Sequence, residues 1–325
     1  MFHYSPRISS KPTPIALNEP PFQILLYYCY TPIEDPEGFV IEHRELCERL
    51  ELVGRILVAK EGVNGTVSGT SEHTAEYMAV LGSDPRFADM PFKIDPSDGH
   101  AFPKLSIKAR GEVVRLALGI DDVDPNVTTG KRLEPDEWLA VMEEQADDVV
   151  ILDGRNRYEA ALGHFKGAVC PDIENFRDFP TWFAEHREEF EGKRVLTYCT
   201  GGIRCEKLSG YLLKEGIEDV SQLEGGIVRY GHDETVAGKN FDGRCYVFDE
   251  RIVVDVNHTD TNTIVSVCEG CGEKSDRYVN CSLMSCNRQH FLCEACEQKA
   301  GRICSDACRE AIIQGERLRS SRSSK

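Results

Sequence analysis

The residues best suited to chemistry cluster around Cys199, which ends the apolar run Val195-Leu196-Thr197-Tyr198 and is followed by Thr200-Gly201-Gly202-Ile203-Arg204. Glycine tolerates positive φ, so Gly201 and Gly202 can turn successive N–H groups inward on one point. A helix predicted from Arg204 would add the positive end of its dipole, and Arg204 itself a full charge. All three favour an anion at the Cys199 sulfur, whose pKa should fall below the free-thiol value of about 8.5. The competing reading is a cysteine buried as a small hydrophobe; the glycines, the arginine and the helix start favour a reactive thiolate or persulfide. Cys205, on the first turn of that helix, is either a resolving thiol for Cys199 or a packing residue, and spacing does not choose between them.

A second group lies downstream. Eight of the 14 cysteines form the pairs Cys268/Cys271, Cys281/Cys286, Cys293/Cys296 and Cys304/Cys308. Short spacings let two thiolates reach one tetrahedral ion, so these pairs could supply up to two structural zinc sites, with iron–sulfur as the alternative. Gly270 and Gly272 permit a tight knuckle, but spacing leaves open which pairs share an ion. His290 is expected to face solvent rather than replace a cysteine. With few apolar residues here, metal binding would drive folding. No organic cofactor signature is evident.

The elements that must position these groups read as two patterns. Over 22–110 the order is βαββαβ: strands at 22–30, 54–60, 64–70 and 103–110, helices at 36–50 and 71–81, with Ser71 as N-cap and a break at 61–63. This suggests a ferredoxin-like sandwich. From about 134, strands at 149–153, 195–199 and 219–223 alternate with helices at 134–146, 178–190 and 204–215. That alternation predicts a parallel sheet covered on both faces, with ligands at the carboxyl ends of its strands, where Cys199 falls. The domain expectation is therefore a flexible lead-in over 1–20, a ferredoxin-like, acylphosphatase-like domain over 21–120, and an α/β domain with a parallel sheet over 130–240. A cysteine-rich module over 241–310 and a basic disordered tail over 311–325 follow.

Within the first unit Lys104, Lys108 and Arg110 share strand parity, with Arg115 beyond them. With Lys60 they could form a phosphate-facing patch, or simply a solvated sheet face. Phe102, Tyr28, Tyr246 and Phe248 are expected to pack cores rather than stack bases. The chain has 325 residues and a net charge of −17, from 38 Lys+Arg and 55 Asp+Glu. That acidity argues against generic nucleic-acid binding, which is mostly phosphate attraction. No apolar run approaches a membrane span and the first 20 residues lack a signal-peptide h-region. A cytoplasmic chain with reduced or metal-bound cysteines is expected.

A resemblance then becomes visible in longer strings. Residues 150–230 resemble a rhodanese domain: Asp153 and Arg155, then Glu159, Gly163-His164, Gly167-Ala168, the loop Cys199-Thr-Gly-Gly-Ile-Arg204, and the closing segment 223–230. Gly154 replaces an apolar residue usual after Asp153, a change that should affect packing more than chemistry. Four strings, 54–69, 154–168, 198–207 and 246–251, are similar to the oxygen-dependent tRNA uridine(34) hydroxylases, over about residues 22 to 308. The resemblance implies hydroxylation of uridine 34 at C5 in the tRNA anticodon, molecular oxygen as co-substrate, an electron donor the sequence does not identify, and an essential cysteine at Cys199. Asn64, within Glu61-Gly-Val-Asn-Gly65, matches a family string placed near the RNA or the active loop. The alternatives are a rhodanese-type sulfurtransferase carrying a Cys199 persulfide, and a zinc-dependent adaptor. A plain sulfurtransferase would have no need of residues 22–110, and an adaptor no need of the intact loop.

Overall fold

In the computed structural model, residues 21–119, 122–286 and 288–318 are described. The expected lead-in over 1–20 and the end of the expected tail, 319–325, lie outside the described residues.

The N-terminal unit is an α/β sandwich of β1 (Phe22–Tyr30), α1 (Pro36–Arg49), β2 (Val53–Ala59), β3 (Gly62–Thr70), α2 (Ser71–Gly82), β4 (Phe92–Ser97) and β5 (Leu105–Ala109). Its sheet runs β4-β1-β3-β2-β5. The ferredoxin-like core is therefore closed by β4, a strand that sequence pattern does not reveal because Pro96 and two acidic or polar neighbours break its alternation. The strand expected to close the unit, β5, is instead an added edge, parallel to β2. The β2–β3 turn is tighter than expected, only Lys60 and Glu61. Thr70, not Ser71, caps α2, its side chain accepting from His73 N at 3.2 Å.

Strand alternation decides what each face does. Leu25, Tyr27, Ile56, Val58, Val63 and Val67 pack under the two helices. Their neighbours of opposite parity, among them Leu26, Tyr28, Arg55, Leu57, Asn64 and Thr66, must line the other face.

The central unit has β6 (Lys131–Leu133), α3 (Pro135–Glu144), β7 (Val149–Asp153), α4 (Arg157–Ala160), β8 (Gly163–Phe165), α5 (Phe179–His186), β9 (Arg194–Tyr198), α6 (Ile203–Lys214), β10 (Asp219–Leu223) and α7 (Gly226–His232). The sheet β6-β10-β9-β7 is parallel, as the alternation predicts. It is buried on both faces. One core holds Phe179, Phe183, Leu208 and Leu212; the other holds Trp138, Phe165, Ile227 and Tyr230. The three-residue β6 and seven-residue α7 are too short to show periodicity.

Beyond it, β11 (Phe241–Gly243) pairs with β8, and β12 (Cys245–Tyr246) with β13 (Val253–Val254). The β11–β8 pairing ties residues 241–243 to the central unit, a little past the expected boundary. The cysteine-rich segment contains the hairpin β14 (Tyr278–Asn280) and β15 (Gln289–Phe291), then α8 (Glu294–Ala300) and α9 (Asp306–Ile313). Its apolar clusters are small, three buried residues each, with cysteines in both. The expected disorder from residue 311 is corrected over 311–318. Residues 311–313 complete α9, Met284 N donates to the Arg317 carbonyl at 2.9 Å, and Leu283 bridges Leu318. His290 is also corrected: it is 2% exposed, because its β15 position faces inward.

Candidate functional site

The loop after Cys199 forms where the parallel sheet releases β9. Gly202 takes φ +101° and donates its N–H to Cys199 Sγ at 3.1 Å. Helix α6 begins at Ile203, one residue earlier than expected. The segment after β10 forms the floor: Ile227 N and Val228 N donate to the Cys199 and Thr200 carbonyls at 2.9 and 3.0 Å. Gly226 must be glycine, since φ is +69° and a Cβ would meet Cys199 O at 2.6 Å and Gly202 N at 2.7 Å.

Cys199 is fully buried, which by itself would raise its pKa. The opposing groups win: a hydrogen bond from Cys205, the Arg204 charge and the N–H groups of Cys205 and Arg204 bring it down to about 5. The Cys205 thiol, also buried, is pushed up and stays protonated as the donor. The two thiols are thus opposed in charge preference, Cys199 favoured as the anion and Cys205 as the neutral thiol.

Arg204 adds its charge beside Cys199, as expected, and is itself held in a buried pair, Glu159 accepting from both its terminal nitrogens at 2.7 Å. Glu159 lies inside the E-x-x-x-G-H string, which was the available signal for it. Asp153 and Arg155 form a second buried pair, with Arg155 Nε to Asp153 Oδ1 at 2.9 Å, and the Tyr198 hydroxyl donates to Asp153 Oδ2 at 2.8 Å. They brace the ends of β7 and β9 rather than line the cavity. At Gly154 a Cβ would lie 2.9 Å from Leu208 Cδ2, so its absence lets α6 approach, a packing effect as expected.

The second wall of the site comes from the N-terminal sheet. Cβ atoms at Gly201 and Gly202 would lie 3.1 Å from Leu26 and 2.9 Å from the Tyr28 hydroxyl, so the loop glycines also permit this close approach. Tyr28 Oη donates to Glu206 at 3.2 Å and Tyr30 Oη to the Ile203 carbonyl at 3.2 Å. Lys207, its side chain fully buried, joins Glu61 at 2.8 Å, Glu112 at 3.1 Å and Asp122 at 2.7 Å. Glu61 and Lys207 sit in two of the strings singled out in the sequence, and their contact explains both as docking elements. A third string, 246–251, does similar work: Arg251 bridges Asp249 at 2.7 Å and Asp95 at 2.6 Å, while Glu250 N donates to Ala101 O at 2.9 Å.

Between the two walls lies a cavity of about 240 Å³. Cys199, Thr200 and Arg204 line one side, and Tyr28, Arg55, Leu57 and Asn64 the other. Phe102 and Phe248 complete its walls, contrary to the expectation of core packing for them and for Tyr28; Phe248 is 48% exposed. Tyr246 stays behind the wall, packed on Phe248 and Tyr158 at ring distances of 5.1 and 5.2 Å. Lys93, hidden in the sequence because β4 is, pairs with Leu26 and holds its ammonium 5.4 Å from the Tyr28 ring centre. Burial pulls its pKa down, against the opposing charge of Cys199.

Asn64, expected near the RNA or the active loop, lines the cavity; of the expected phosphate patch, Lys108 and Arg110 are exposed, Lys108 sharing the open sheet face beside Leu57. Lys60 and Lys104 are exposed but lie in the turn after β2 and ahead of β5, and neither lines the cavity.

The eight distal cysteines form two groups: Cys268, Cys271, Cys293 and Cys296, and Cys281, Cys286, Cys304 and Cys308. The pairs interleave, first with third and second with fourth. Four sulfurs about 2.3 Å from one ion lie about 3.8 Å apart at the edges of a tetrahedron. Cys271–Cys293 at 3.8 Å, Cys286–Cys304 at 3.7 Å and Cys304–Cys308 at 3.6 Å match that edge, and are far too long for a disulfide. Both groups can hold a metal ion, and the geometry suits zinc.

The comparisons with known proteins agree with this architecture. Residues 22–113 match the UPF0176 acylphosphatase like domain, residues 135–233 the rhodanese-like domain and residues 242–309 the rhodanase C-terminal family. The "tRNA uridine(34) hydroxylase" of Bacillus cereus (strain B4264) is 55% identical over 289 residues, 89% of this chain and 89% of that protein. The protein of the same name from Bacillus velezensis is 54% identical over 291 residues, 90% and 89% of the two chains. Among solved structures, a rhodanese-like domain protein from Staphylococcus aureus is 30% identical, covering 32% of this chain and 93% of that one at a TM-score of 0.26. With over half its residues identical across nine-tenths of both chains, this chain belongs to the tRNA uridine(34) hydroxylase family.

Proposed function

We propose that this protein hydroxylates uridine 34 of tRNA at C5, with Cys199 as the essential residue. The observation that carries the reading, beside the family membership, is the cavity over an anionic sulfur, walled by a second domain. Its 240 Å³ holds about eight waters at liquid density, and a uracil ring has eight heavy atoms. A base in a folded anticodon loop reaches such a site by leaving its stack.

The Cys199 thiolate adds to C6 of the uracil, which makes C5 nucleophilic toward molecular oxygen. Overall, uridine, O₂, two electrons and two protons give 5-hydroxyuridine and water, the electrons coming from an external donor. Loss of the C5 proton and expulsion of the thiolate restore the aromatic ring and the free sulfur. Thiolate expulsion is favoured by the same N–H groups and Cys205 S–H that stabilise the anion in the resting loop. Asn64 faces the base as the polar group able to read its edge, with Tyr28, Phe102 and Phe248 as apolar walls. The two Cys₄ groups hold structural zinc ions.

A sulfurtransferase would use the same loop to carry a persulfide. The base-sized cavity with its second wall from the N-terminal domain favours hydroxylation, because passing one sulfur atom to a small acceptor has no need of either. Nucleoside mass spectrometry of tRNA from a deletion strain decides: complementation with the native gene should restore 5-hydroxyuridine derivatives, and Cys199→Ser should not. Survival of the modification with Cys199→Ser sinks the assignment; loss of thiolated nucleosides alone would point to sulfur transfer.

A further inference from the structure

A groove of about 550 Å³ adjoins the Cys199 cavity, sharing Arg55 and Leu57 with it, and Arg110 and Arg115 form its far side. All three arginines are exposed. Among the described residues none of them pairs with a carboxylate; Arg110 reaches only the neighbouring Ala109 carbonyl, at 2.7 Å. The groove's own carboxylate, Glu112, is committed to Lys207 at 3.1 Å and to Leu116 N at 2.9 Å. In a chain of net charge −17, where arginines such as 132, 157, 229 and 251 are all ion-paired, three free guanidiniums in one groove stand out. Lys108, on the strand next to Arg55, extends the same positive edge.

We propose that this groove is the phosphate-binding subsite for the RNA backbone flanking the extruded base, with Arg55 at the junction of backbone and base pockets. The inference rests on the reading of the Cys199 cavity as a base site. Guanidinium forks match phosphate oxygens in a bidentate way, and an apolar pocket beside a cationic groove separates a base from its backbone. It also reconciles the acidity with an RNA substrate: attraction is confined to one short track, and the remaining surface repels non-specific RNA.

The test is the salt dependence of binding an anticodon stem-loop RNA to the full chain, read by fluorescence anisotropy, with KM for tRNA measured alongside. On a single-stranded segment, each phosphate left without its arginine should lower the slope of log K against log salt by about 0.7. Arg55→Ala, Arg110→Ala and Arg115→Ala should each do so, and the triple variant should lower the slope by about 2, three times that amount. The corresponding Lys variants should keep the slope, because a point charge still releases counterions. A triple variant with unchanged slope and KM would overturn the subsite. Hydroxylation by the unaltered protein, assayed in parallel, tests the activity reading separately, since the slope requires no turnover.

Discussion

Removing the Cys205 thiol isolates the group that contributes most to holding Cys199 ionised. Burial opposes the anion, and the Cys205 hydrogen bond is the largest single effect against it, ahead of Arg204. A hydrogen bond to a charged group is worth about 1.5–3 kcal/mol, and one pKa unit corresponds to about 1.36 kcal/mol. Cys205→Ala should therefore raise the Cys199 pKa by roughly 1–2 units from its value of about 5. The assay is the pH dependence of alkylation by iodoacetamide, read by mass spectrometry at Cys199. The midpoint is the proper readout, because a more basic thiolate is also the stronger nucleophile and single-pH rates partly cancel. Cys205→Ser retains a donor and should keep the low midpoint. If Cys205→Ala titrates with the native midpoint, the assigned donor role is wrong. If Cys205→Ser keeps the midpoint but loses turnover, Cys205 serves as a resolving thiol as well.

The pH profile has a definite sign. Cys199 is shifted down in the folded protein, so its ionisation adds stability that is fully present above the ordinary thiol range and is lost as pH falls through about 5. Turnover should show an acid limb near the same value, and denaturant titrations across that range should show stability rising with pH. Glu159→Ala leaves the Arg204 charge buried and unpaired, and should cost about 3–5 kcal/mol in chemical denaturation. The double change Glu159→Leu with Arg204→Met should lose less stability than that, while raising the Cys199 alkylation midpoint. Metal analysis should find two zinc ions per chain, one for each Cys₄ group. Cys281→Ser should release one ion and leave the group containing Cys268 loaded; loss of both at once would refute two separate centres.

Much of the site is legible in one dimension because its determinants are local. A strand ending at Cys199, glycines able to take positive φ and a helix beginning within five residues are enough to specify an anion-stabilising loop. Likewise, the paired cysteine spacings record short knuckles that each fit one side of a tetrahedral ion. Alternation along 149–223 is enough for the parallel sheet, since strands buried on both faces read as apolar runs. Where local pattern is weak, sequence reading goes astray: β4 carries a proline and escapes notice, and β5, with its clean alternation, stands in its place as the expected closing strand.

Long-range partners belong to the tertiary structure. Nothing in the spacing of the cysteine pairs says that the first joins the third and the second the fourth, because the order of pairs in space depends on how the hairpin and α8 fold back. Arg204 reads as an unpaired cation, and only the fold brings it Glu159, 45 residues away in sequence. Period-two alternation shows that Tyr28, Leu57 and Asn64 share a sheet face, but that face could as well be solvated. It covers Cys199 because Lys207 and Arg251 draw carboxylates from the other domain into buried or half-buried pairs, and such charges are stable out of water only when matched. The sequence alone therefore carried the expectation of an anion-stabilising loop at Cys199, with the glycines and the helix start that build it. Packing between domains decided that Cys199 lines a cavity of about 240 Å³ whose second wall is the N-terminal sheet.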